Sequence, residues 1–140
     1  KIGATLFIAW GAIHVLGGLS ILSALGDSTA AGFATYQHSA ADYDQLSGSV
    51  LGYFSYLLIL AGIAAAAIGW RLNWHNSQAG LAINTVVIGA IEVGLVWFLV
   101  LPGFVSWAQA SVGLAPYILA TILSGIACQA AHGSPATHSA

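Results

Sequence analysis

The sequence predicts an all-α polytopic membrane protein, four transmembrane helices in an up-down-up-down bundle, and three observations carry that prediction. Of the 140 residues, 59% are hydrophobic and only 4% are charged. A water-soluble domain normally carries about a quarter of its residues as charges, so this chain cannot wet its own surface. Second, the apolar residues gather into four runs of about twenty, each long enough to cross a hydrocarbon core of about 30 Å. Third, these runs use nearly the whole chain and leave no room for a separate soluble domain. The composition excludes a water-soluble globular enzyme and a disordered tail. With a net charge of −2 and no basic run, nucleic acid is excluded as a partner as well.

The first span is read at residues 2–25. It is too long for the apolar core of a signal peptide and is expected to be retained. The chain has no Met and starts at Lys1, so a short piece is expected to precede it. Gly26-Asp27-Ser28 ends the span. Residues 26–48 form an outer loop, long for a connection between neighbouring helices. Asp27-Ser28-Thr29 and Ser39-Ala40-Ala41-Asp42 resemble helix starts, and Phe33, Tyr36 and Tyr43 give the segment apolar surface. It reads as an interfacial helix or, more sharply, as a lid.

The second span is placed at 49–70, the third at 79–101 and the fourth at 112–131, with a flexible tail over 132–140. The polar stretch from Arg71 to Ser77 separates the second from the third, and Pro102-Gly103 stops the third. Pro116 is expected in the first turns of the fourth, where a missing backbone donor costs least. The whole of 1–131 is thus one transmembrane domain. An even number of spans puts both termini and the second loop on one side. That side holds Lys1 and Arg71, the two basic residues of the chain, against Asp27, Asp42 and Asp44 on the other. The positive-inside rule then places both termini in the cytoplasm, in a bacterial inner membrane. Trp70, Trp74 and Trp107 lie near span ends as interfacial anchors, whereas Trp10 and Trp97 lie deeper.

Small residues mark the packing faces, because in lipid they let backbones approach. They are Ala4, Gly11 and Gly18 around His14; Gly62, Ala66 and Gly69 below Ser55 and Tyr56; Thr85, Gly89 and Glu92; and Gly113, Tyr117, Thr121, Ser124 and Cys128. On these faces Glu92 is the most informative residue, since a charge at a helix centre costs about 2.5–3.5 kcal/mol on insertion scales. Counted from the cytoplasmic end at about 1.5 Å per residue, Glu92 lies about 20 Å in, His14 about 18 Å, and Tyr56 and Tyr117 about 21 Å. With Asn84 and Trp10 they make up the candidate ligand or proton site. One reading has Glu92 and His14 share a proton or hold the polar head of a lipophilic ligand; the other has them only tie two helices together.

Cofactors are not specified, and haem and metal are not expected. A haem between two histidines needs both at one depth, and only His14 lies in a span; a zinc or copper site needs three or four ligands, and His14 with Glu92 supplies two. His38, Asp42 and Asp44 read as a solvated acidic loop, and His75, His132 and His138 fall in loop or tail. The lone Cys128 makes no intrachain disulfide and no redox pair. No catalytic motif is present and no catalytic residue is assigned. Size, four spans and one intramembrane carboxylate resemble the small multidrug-resistance transporters in outline. Their carboxylate sits in the first helix, where this chain has His14, and the sequence assigns the chain to no family.

The functional expectation is an accessory subunit or a lipophilic-ligand-binding module for a quinone, carotenoid or lipid. Its expected partners are the bilayer, a membrane protein or a second copy, and a lipophilic small molecule. A proton-coupled small transporter or channel using Glu92 and His14 is the alternative, and a small intramembrane enzyme using the same pair as acid and base comes third.

Overall fold

The computed structural model describes residues 1–26 and 45–132. The loop segment 27–44, with its two capping motifs and His38, Asp42 and Asp44, lies outside the described residues, as does the tail 133–140 with His138. Four helices carry the architecture: α1 (Ile2–Gly26), α2 (Gln45–Arg71), α3 (Gln78–Leu95) and α4 (Trp107–His132). All four are long and apolar enough to cross a membrane. Their outward faces carry Leu16, Ile63, Val86 and Ile126, each more than half exposed. Water is a poor partner for such a surface, which suits a membrane or a protein interface.

The α1–α2 pair is the most closely packed. Gly11 and Gly62 meet backbone to backbone: a Cβ on Gly62 would stand 2.6 Å from the Gly11 carbonyl oxygen. A turn or two to either side, Gly18 lies against the Ser55 carbonyl and Gly69 against that of Ala4. The predicted Ala4, Gly11, Gly18 repeat is therefore the contact line, and the absence of side chains there is what lets the helices touch. The numbers of the contacting residues run in opposite senses along the two helices. The same holds for α1 with α4, where Gly3 meets Ser124 and Ala120 while His14 meets Gly113.

The ends of the elements follow local chemistry. Asn73–His75 forms a short 3₁₀ turn, and Asn76 takes a left-handed conformation at φ 54°. Asn is one of the few residues that accepts this backbone without strain. Ser77 then caps α3, its hydroxyl accepting from the Gly80 N–H at 3.2 Å. At its other end α3 widens into a π turn, Val96–Val100, where the Leu101 N–H reaches the Val96 carbonyl at 2.9 Å.

Helix α4 starts five residues before the predicted span, at Trp107. The reason is a capping box: the Gln109 side chain accepts from the Ser106 N–H at 2.9 Å, and the Ser106 hydroxyl accepts from the Gln109 N–H at 3.3 Å. Ser and Gln three apart are the sequence signature of that motif, and the apolar count overlooked it. Pro116 consequently sits inside α4 rather than in its first turns, where its missing N–H leaves the Val112 carbonyl without its usual helical donor.

Among the described residues, three groups of buried apolar residues stabilise the bundle. The central one joins Phe7 and Trp10 of α1, Ala65 of α2, Ile88 of α3 and Ala120 of α4. Beyond it, away from the 72–77 turn, the core divides. Ile21 and Ala24 pack with Leu25 and Leu51 on the α1–α2 side. Val100, Val105 and Ala110 pack with Leu95, Leu99 and Leu114 on the α3–α4 side.

Candidate functional site

The site is assembled by two helix repeats. On α1, Trp10 and His14 are four residues apart, so their rings lie one above the other; they stack with centroids 3.7 Å apart and planes 24° apart. On α3, the buried residues Gly80, Asn84, Ile88 and Glu92 recur every four positions. This stripe delivers Glu92 to the bundle interior, where it is 2% exposed. The Trp10 indole N–H donates to Glu92 Oε1 at 2.5 Å. His14 Nε2 faces the same oxygen at 3.8 Å.

Hydrogen bonding fixes the form of the imidazole. His14 Nδ1 lies 2.8 Å from the Trp10 carbonyl oxygen, which can only accept, so Nδ1 carries a proton. The neutral ring therefore turns a lone pair on Nε2 toward Glu92. The second carboxylate oxygen, Glu92 Oε2, is buried and has no hydrogen-bond partner. An unmet buried carboxylate oxygen is costly, and among the described residues Oε2 is the one carboxylate oxygen of seven buried side-chain polar atoms without a partner.

Gly113 of α4 closes the other side. A Cβ there would stand 2.8 Å from Glu92 Oε1 and 3.1 Å from His14 Cε1, so only glycine admits the pair at this helix distance. The sequence placed Gly113 on the packing stripe of α4 without marking it as part of the site. One turn beyond His14, Gly17 lies on the same face of α1 as Trp10, seven residues on. No described atom comes within 4 Å of where its Cβ would be. The space at Gly17, one turn beyond His14, is thus open among the described residues.

The remaining candidates are distributed elsewhere. Tyr56 does not join the layer: it is 53% exposed on the outer surface. Its neighbour Ser55 takes the inward position with Gly62, Ala65 and Gly69, and one residue along a helix rotates a side chain by about 100°. Tyr117 points inward but its hydroxyl donates to the Thr85 carbonyl at 3.0 Å, over Gly89, and so reaches α3 below Glu92. Asn84 donates to the Ala65 carbonyl at 3.4 Å, tying α3 to α2. It lies two turns, about 12 Å, from Glu92, with Ile88 between. Depth along the helix had put Tyr56 and Tyr117 in one layer with Glu92; rotation about the axis and side-chain reach separate them.

Among the described residues, no three His, Cys, Asp or Glu side chains come together as a metal site would require. The class that fold and site define is a four-helix membrane-type bundle with an indole–imidazole–carboxylate cluster at its centre. No family model, curated protein or solved structure matches the chain.

Proposed function

We propose that the chain is a small integral membrane protein, threaded up-down-up-down with both termini cytoplasmic, that binds a lipophilic molecule by its polar head at Glu92 and His14. It serves as a ligand-binding module or accessory subunit. The carrying observation is Glu92 Oε2, an unpartnered carboxylate oxygen on a residue 2% exposed. Mere helix adhesion does not call for such an atom, because an Asn or Ser ties helices without the burial penalty of a carboxylate. Among the described residues, nothing lies within 4 Å of a Cβ at Gly17, one turn from His14, and that opening supports the reading as a place for an apolar body. The orientation is supported by Lys1, whose Nζ lies 5.7 Å from the Trp74 ring centroid. Both basic residues thus sit with Trp70 and Trp74 at one end, as a cytoplasmic interface favours.

Native mass spectrometry of the protein released with its surrounding lipid, wild type beside Glu92→Gln, tests this reading. A small molecule carried by the wild type and lost from the variant is the expected result. A chain equally empty in both preparations would overturn it. Proton-coupled transport is the second reading, favoured by the 3.8 Å approach of His14 Nε2 to Glu92 Oε1. It requires a proton flux in vesicles that Glu92→Gln abolishes without unfolding the protein.

A further inference from the structure

We infer that the head group bound at this site is a hydroxyl: the ligand is an alcohol or phenol on an apolar body that lies past His14 in the space beside Gly17. The inference rests on the ligand-binding reading above and names its chemistry.

Two atoms of the cluster are open, Glu92 Oε2 and His14 Nε2. Oε1 is taken by the Trp10 N–H and Nδ1 by the Trp10 carbonyl. A buried pair of this kind is least costly when it holds one proton and is neutral overall. That proton has two places. On the carboxyl group it makes Glu92 a donor and leaves Nε2 an acceptor; on Nε2 it makes His14 the donor and Glu92 the acceptor. In either arrangement the pair offers one donor and one acceptor. The 3.8 Å between Nε2 and Oε1 exceeds a hydrogen bond, so the two residues do not satisfy each other directly.

A hydroxyl both donates and accepts, and it therefore complements both arrangements at once. A carbonyl only accepts and leaves one partner unmet; an ammonium only donates and fails in the same way. A carboxylate or phosphate would place a second anion against Glu92. An apolar body suits the end of the bundle beyond His14, where the described core residues are Ile21 and Ala24 on the α1–α2 side and Val100, Val105 and Ala110 on the α3–α4 side.

The test uses the whole chain in lipid nanodiscs, with a long-chain para-alkylphenol and its methyl ether as probes. The two share one apolar body and differ only in the O–H. The phenol is expected to bind the wild type about tenfold tighter than the ether, the worth of one net hydrogen bond in a buried site. Gly17→Leu, which fills the space one turn beyond His14, is expected to weaken the phenol about tenfold or more while circular dichroism shows the helices unchanged and the His14 side-chain NMR signals of the ligand-free protein stay in place. Equal binding of phenol and ether to the wild type overturns the hydroxyl assignment and leaves ligand binding standing. Unchanged phenol affinity in Gly17→Leu overturns the placement of the body. If neither probe binds beyond its partition into empty nanodiscs, the ligand-binding reading falls, and this inference with it.

Discussion

Replacing Trp10 by Phe removes one hydrogen-bond donor from Glu92 Oε1 and leaves an aromatic ring in place, so it isolates the contact that defines the site. Two magnitudes bracket its worth. Hydrogen bonds between transmembrane helices average about 0.6 kcal/mol and reach about 1.7, while bonds to charged partners in proteins run about 1.5–3 kcal/mol. The 2.5 Å separation and the full burial of the Trp10 side chain put this bond at the strong end of the membrane range. The single variants alone mislead, because Glu92→Leu strands the indole N–H yet also removes the unpartnered Oε2. Those effects oppose each other, and the net change for Glu92→Leu is expected within about 1 kcal/mol of zero. A double-mutant cycle of Trp10→Phe and Glu92→Leu cancels them and reports the pair. The expected coupling is about 1–2 kcal/mol, or roughly five- to thirtyfold in the folding equilibrium constant. The assay is SDS-induced unfolding in bicelles followed by near-ultraviolet circular dichroism. A coupling below about 0.3 kcal/mol would refute the contact and with it the placement of Glu92.

Three further outcomes follow from the packing. Gly62→Ala drives a Cβ to 2.6 Å from the Gly11 carbonyl oxygen, so α1 and α2 must part, at about 1–3 kcal/mol. Gly17→Ala, with open space at its Cβ, should change the same SDS midpoint little, and equal effects of the two would contradict the close approach. Gly113→Ala pushes against Glu92 Oε1 and the His14 ring; the expected readout is a shift of the His14 side-chain NMR signals, and unchanged signals would place α4 elsewhere. Tyr56→Phe should leave unfolding within about 0.5 kcal/mol of wild type, as for an exposed side chain. Tyr117→Phe loses the bond to the Thr85 carbonyl and should cost about 1 kcal/mol, so a larger loss for Tyr56 than for Tyr117 would reverse the assigned faces.

The division between sequence and structure is sharpest at these residues. Composition and run length sufficed for four apolar helices, since the energy of an unpaired backbone or a charge in hydrocarbon leaves few alternatives. The seven-residue spacing of Ala4, Gly11 and Gly18 named the α1 face against α2, because helical periodicity is a property of the chain alone. Glu92 and His14 stood out for the same reason: a titratable group within an apolar run is visible as a one-dimensional exception. The capping box of Ser106 and Gln109 was also written in the sequence and went unread.

Tertiary structure decided what depends on rotation and on partners from other helices. It turned Tyr56 outward and Ser55 inward, sent the Tyr117 hydroxyl to Thr85, and brought the Trp10 indole to a carboxylate 82 positions away. It also made Gly113 part of the site, because a missing side chain acquires meaning only from what approaches it. Depth in a span is additive along the chain at about 1.5 Å per residue and can be counted in advance. The angle at which a side chain meets its neighbours is fixed by helix contacts made across the bundle, and no count along one segment contains it.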